Sequence, residues 1–230
     1  VMTYTTVLAL EFSPVAFEGL SWRRAAQRVR RWVVPLVILG VVCSVLHQSS
    51  LGSLLLIAPY RMHPLWYSMM LPVFYFVSAV AAGLAMVQLE ASAAGRLYGH
   101  RVNPSLMEGL ARGMVWLLAL NAALRIGDWL VRGVGPWVAP IGLENVLAAV
   151  EVAVGMLLPA GLMAVPVWRR RPALRLAAAG VAVAGVVLNR IDTALVSMTS
   201  TIRAAYWPSW IEIVVTLGIV AAGMLAYDWV

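Results

Sequence analysis

The octapeptide LHQSSLGS, Leu46 to Ser53, puts a histidine, a glutamine and three serines inside an apolar run that begins near Trp32 and reaches Pro59. An imidazole titrates near neutral pH and can give or take a proton. Gln48, Ser49 and Ser50 add hydrogen-bonding groups at the depth of His47. Other ionisable residues interrupt later apolar runs: Arg125 and Asp128, Glu151, then Arg190 and Asp192, with a sparser set at Glu11, Glu90 and Arg112. In hydrocarbon such groups must face protein, a ligand or a water-filled cavity, and each costs about 2.5–3.5 kcal/mol at a helix centre on insertion scales. Together these residue types suit proton handling and the recognition of a flat or polar ligand within a membrane. Plainer roles compete with that chemistry. His47 could bond across helices, Glu151 could form a structural ion pair with Arg125 or Arg190, and Glu90, Arg112 and Glu212 could snorkel from helix ends. Arg190 and Asp192, two positions apart, do not share a helical face and should pair with different neighbours.

Other chemistries find little support. The one cysteine, Cys43, lies in an apolar run and excludes a disulfide framework, a Cys-ligated zinc or an iron–sulfur cluster in this chain. A bis-histidine haem needs two ligands at matching depth, and only His47 falls within an apolar span; His63 and His100 are in connecting segments. Metal-hydrolase, nucleophile-elbow and phosphate-loop motifs are lacking.

The elements that would hold these residues follow from composition. The chain is 62% hydrophobic and 12% charged, with a mean hydropathy of +0.87, against roughly 25% charged residues in ordinary soluble domains. The expected fold is all-α, a polytopic transmembrane helical bundle forming a single integral-membrane domain over residues 1–230. Seven spans are predicted: Met2–Leu20, Trp32–Pro59, Leu71–Glu90, Leu106–Ile126, Glu144–Trp168, Leu176–Met198 and Trp210–Val230. The net charge of +7 comes from 17 basic residues, all arginine, grouped between spans. That grouping argues for membrane topology rather than nucleic-acid binding. Alternate connections hold five, two and four arginines, and the intervening ones hold one each; the rich loops should be cytoplasmic. His47, about 15 residues past Trp32 and so roughly 22 Å along the helix, then lies in the outer half. Ala58–Pro72, with Trp66 and Tyr67, reads as an interfacial loop at headgroup level, and Gly127–Gly142 as an outer loop. The chain opens at Val1 and stops inside an apolar run at Val230, so a fragment of a larger, eight- to ten-helix subunit is expected.

The motifs LEFSP (Leu10–Pro14), LHQSSLGSL (Leu46–Leu54), HPLW (His63–Trp66), LRIGD (Leu124–Asp128), the pair Asn189–Arg190 and AYWPSWIE (Ala205–Glu212) occur in that order. Together they resemble the NrfD/polysulfide-reductase membrane-subunit family, most closely its HybB-like branch in NiFe-hydrogenases. The resemblance covers nearly the whole chain but only the later part of such a subunit. It implies a quinone-reactive subunit of the bacterial or archaeal cytoplasmic membrane, using menaquinone or ubiquinone, without haem or iron–sulfur clusters of its own. Its partners would be a periplasmic ferredoxin-like iron–sulfur protein and, through it, a hydrogenase or molybdoenzyme catalytic subunit. The family histidine falls on His47, its arginine and acid on Arg125 and Asp128, and its later acid and arginine on Glu151 and Arg190. A further acid, used in the family for proton transfer, would precede Val1 and is not in this chain.

The expected site is therefore His47 as proton donor, with Gln48, Ser49, Arg125 and Asp128 at the quinone and Glu11, Glu151, Arg190 and Asp192 passing protons. A carrier with a polar midplane site and a passive anchor are the competing readings. The first would show half-helices in two corresponding halves; the second would bind no quinone.

Overall fold

The computed structural model describes residues 2–19, 29, 31–99, 103–138, 142–202 and 209–229. Most of the first arginine group (Arg23, Arg24, Arg28 and Arg30), His100 with Arg101, and Arg203 to Pro208 lie outside the described residues. The described residues form helices and no strands: α1 (Met2–Gly19), α2 (Val33–Leu55), α3 (Leu71–Tyr98), α4 (Pro104–Arg132), α5 (Leu143–Ala164), α6 (Pro172–Ile191, continuing through Ile202) and α7 (Trp210–Trp229). Among them α2 to α6 are long and apolar enough to cross a membrane. Helices α1 and α7, expected as the first and last spans, stand outside those five.

Two helices run further than the sequence suggested. Helix α4 continues past Gly127 to Arg132, where Gly133 at φ 64° ends it, because Asp-Trp-Leu-Val-Arg contains no breaker and Arg132 pairs with Asp128 one turn back. Helix α3 likewise passes Glu90 to Tyr98 and is capped by Gly99 at φ 68°. At the other end of α4, Asn103 caps the helix by accepting from the Ser105 amide at 3.0 Å.

The chain divides into two compact units, residues 1–47 with 205–230, and residues 48–204. In the first, α1 buries Val7 and brings Glu11 against Gly40 of α2; a Cβ at Gly40 would lie 3.3 Å from Glu11 Oε2.

In the second unit α3 packs on α4 and α6, and α5 packs on α4 and α6, so four consecutive helices close an antiparallel ring. Each turns a buried stripe inward at three- and four-residue spacing. On α3 it is Leu71, Phe74, Ser78, Ala81, Ala85 and Gln88; on α4, Met107, Ala111, Met114, Leu118, Asn121, Arg125 and Trp129. On α6 it is Ala178, Ala182, Gly185, Asn189 and Asp192. One half of the core is alanine and methionine with Leu118. The other holds the aromatic residues Trp66, Tyr75 and Trp129 among aliphatic ones. Helices α5 and α6 touch backbone to backbone, where Gly155 and Gly185 meet. Outward side chains such as Val73, Phe76, Trp116 and Val187 are apolar and exposed, as a lipid-facing surface requires.

Both α5 and α6 contain a π turn, Ala153–Leu157 and Asp192–Val196 respectively, each closed by an i to i+5 bond: Leu158 N to Ala153 O, and Ser197 N to Asp192 O. Such turns insert one residue without breaking the helix. On α6 the insertion returns Ser197 to the buried face after Asn189 and Thr193.

Candidate functional site

Where the four stripes reach the aromatic half of the core they all become polar at once. Helix α3 contributes Tyr75 and Ser78, α4 Asn121 and Arg125, α5 Glu151, and α6 Asn189, Asp192 and Thr193, all buried. Glu151 is the centre. Its Oε1 accepts from Asn189 Nδ2 at 2.7 Å and lies 3.3 Å from Arg125 Nη2. Its Oε2 accepts from Trp66 Nε1 at 3.1 Å. Arg125 itself lies between rings, its guanidinium carbon 5.5 Å from the Phe74 centroid and 5.6 Å from that of Trp129. A delocalised cation desolvated among aromatic faces is partly compensated by their quadrupoles.

Arg190 extends the network to α3. Its guanidinium sits 3.5 Å over the Tyr75 ring and donates to Ser78 Oγ at 2.8 Å and to Asn189 Oδ1 at 2.7 Å. Asn189 is thereby fixed in orientation, with its oxygen toward Arg190 and its amide toward Glu151. Thr193 bonds back to the Asn189 carbonyl at 2.7 Å. Asp192 opens the π turn, is 1% exposed, and interacts electrostatically with Glu151 and Arg125. Among the described residues its Oδ2 has no hydrogen-bond partner, nor do Nε and Nη2 of Arg125.

Of the residues singled out from the sequence, Arg125, Glu151, Arg190 and Asp192 come together in this layer. Asp128 does not join them. Its carboxylate accepts from Ser68 Oγ at 2.7 Å and from Arg132 Nε and Nη2 at 2.9 and 2.6 Å, while Arg132 Nη1 donates to Pro64 O at 2.8 Å. Asp128 thus ties the 64–68 segment to α4. Ser49 donates to the Pro72 carbonyl at 3.1 Å, and Gly52, a turn further along α2, meets the Leu71 and Pro72 backbone. His47 is half-buried and belongs, with Glu11, to the first unit.

The sequence reading missed the role of Trp66. Taken as a headgroup anchor, it is 1% exposed and donates into the bundle to Glu151. The 59–70 segment folds inward because its ends are held. The His63 amide donates to Ser197 Oγ at 2.8 Å, and Trp129 Nε1 donates to the Leu65 carbonyl at 2.8 Å. The edge of the His63 ring meets Trp66, with centroids 5.7 Å apart. Asn121 and Ser78 were also missed. Their phase on the buried stripes was the available signal.

His63 confers a pH dependence. Burial pushes its imidazole below the ordinary 6.5, and Glu144 pulls it partly back; its Nδ1 also accepts from the Leu65 amide at 3.3 Å, which requires that nitrogen unprotonated. The unfolded chain takes up the proton more readily, so this contribution is full above about pH 6.5 and is lost as pH falls through the lower folded value. Unfolding midpoints of the wild type should decline on acidification more steeply than those of His63→Gln.

The polysulphide reductase, NrfD family model matches residues 2–199. A protein of Nitratidesulfovibrio vulgaris (strain Hildenborough) is 35% identical over the whole of this chain and 61% of its own length. The probable Ni/Fe-hydrogenase 2 b-type cytochrome subunit of Escherichia coli K12 is 33% identical over 97% of this chain and 58% of its own length. The chain thus spans about three fifths of the length of these curated relatives. No solved structure is significantly similar to it. A bundle of apolar helices with a buried layer of acids and arginines, matched nearly end to end by one family, leads to one assignment: this is a multi-pass integral membrane protein that belongs to the polysulphide reductase, NrfD family.

Proposed function

We propose that the protein is a quinone-reactive membrane subunit of a respiratory oxidoreductase complex of the hydrogenase or molybdoenzyme type. In this reading the chain crosses the bacterial or archaeal cytoplasmic membrane seven times, with α1 and α7 as the first and last of those spans in chain order. It exchanges electrons between a periplasmic ferredoxin-like iron–sulfur partner and menaquinone or ubiquinone. The observation that carries the reading is the Trp66–Glu151–Asn189–Arg125 cluster, buried in a membrane bundle of a family whose E. coli member bears a hydrogenase-subunit name.

Quinone reduction consumes two electrons and two protons, so a proton donor must stand beside a carbonyl oxygen with a relay behind it. His47 is the donor, through an imidazole nitrogen that makes no hydrogen bond among the described residues. Gln48 and Ser49 follow it on α2, and within the second unit Arg125 supplies a fixed positive charge to the polar layer. Asp128 acts through the 64–68 segment, which it holds, rather than at the ligand. Glu151, Arg190 and Asp192 form the polar layer that handles protons, and Glu11 serves the same purpose in the first unit. A bis-histidine haem does not fit these residues, because only His47 lies within the five long helices. A carrier built on half-helices is not favoured either, since α5 and α6 run continuously through their π turns.

The test is quinone reduction by the intact complex carrying His47→Ala. A loss of about a hundredfold, typical for removing an acid–base group, with an unchanged unfolding midpoint supports the reading. Wild-type turnover by that variant removes His47 from the mechanism.

A further inference from the structure

Glu151 and Asp192, the two acids of the buried layer, differ in a way that divides their labour. Among the described residues, the partners of Glu151 are all N–H groups: the Trp66 indole, the Asn189 amide and the Arg125 guanidinium. None can accept a proton from a carboxyl O–H. The Asn189 oxygen, which could, is occupied by Arg190. Protonating Glu151 would therefore set an O–H against three donors.

Asp192 is as deeply buried, yet its Oδ2 has an open acceptor position. The charged groups around it are Glu151 from α5 and Arg125 from α4, with Arg190 on its own helix and Tyr75 of α3 beneath that arginine. The π turn that begins at Asp192 displaces the helical register just at this residue, and such turns recur at functional positions. We infer that Asp192 is the carboxyl of this layer that takes up and releases a proton, while Glu151 remains the fixed counter-ion of Arg125. The proton adds to Oδ2 to give a neutral carboxyl and leaves from the same atom, with no change in electrons. This rests on the proton-handling part of the function proposed above and selects the residue that performs it.

Infrared difference spectroscopy of the intact complex across a pH change tests it. The wild type should show a protonated-carboxyl C=O band that shifts with 13C-aspartate labelling and not with 13C-glutamate labelling. Asp192→Asn, close in shape to the neutral acid, should keep the wild-type unfolding midpoint and lose the band. Persistence of the band in Asp192→Asn, its response to labelled glutamate, or its absence from the wild type would overturn the inference. The readout does not depend on quinone turnover. A wild-type His47→Ala with the aspartate band as expected would sink the quinone reading and leave the proton site standing.

Discussion

Arg125→Met is expected to destabilise the bundle by about 3–5 kcal/mol, the usual consequence of removing one member of a buried ion pair. The reason is Glu151, which is wholly buried and would keep only the Trp66 and Asn189 donors against a full negative charge. Methionine roughly fills the space of the arginine stem, so a cavity contributes little. The companion Arg125→Met/Glu151→Leu removes both charges and should recover much of the loss, although the Trp66 and Asn189 donors then go unmet. Reversible unfolding of the reconstituted protein measures both. If the single variant is as stable as the wild type, the pair at 3.3 Å is not holding the layer together. If the double variant is the less stable of the two, the cost is packing and not uncompensated charge.

Gly185→Ala should cost about 1–3 kcal/mol or more, as overpacked sites do. An added Cβ would meet the Gly155 backbone, with its carbonyl oxygen at 2.8 Å, and backbone cannot turn aside as a side chain can. Helices α5 and α6 must then separate. Because Asn189 lies one turn beyond Gly185, its 2.7 Å bond to Glu151 should lengthen with them. Gly180→Ala on the same helix is the control. Among the described residues nothing lies within 4 Å of its new Cβ, so the gain in helix propensity, up to about 1 kcal/mol, should appear unopposed. Equal midpoints for the two variants would contradict the close crossing.

Part of the arrangement was legible in the sequence. Arg125 follows Met107, Ala111, Met114, Leu118 and Asn121 at three- and four-residue steps, and burial on that stripe is what periodicity implies. Arg190 and Asp192 were expected to face different neighbours, and they do: Arg190 reaches Ser78 and Tyr75 on α3, while Asp192 interacts with Glu151 and Arg125. Trp66 was misplaced because Pro, Tyr and Trp around it look the same in an interfacial loop and in one drawn inward. The ties that draw it in, His63 to Ser197 and Trp129 to Leu65, span 134 and 64 residues. The extent of α4 was underestimated at Gly127, a glycine that carries no special conformation; the helix waits for Gly133.

The sequence by itself determined that this chain is a helical membrane protein and that acids and arginines interrupt its apolar helices. Each of these follows from composition and local periodicity, which do not depend on where other helices lie. Only the tertiary structure decided the partners: Glu151 with Arg125, Asn189 and Trp66, Asp128 with Ser68 and Arg132, and Asp192 with an open acceptor. Pairing of that kind depends on the rotation and separation of whole helices, set by contacts such as Gly155 on Gly185 and by the residue each π turn inserts. No local pattern encodes those.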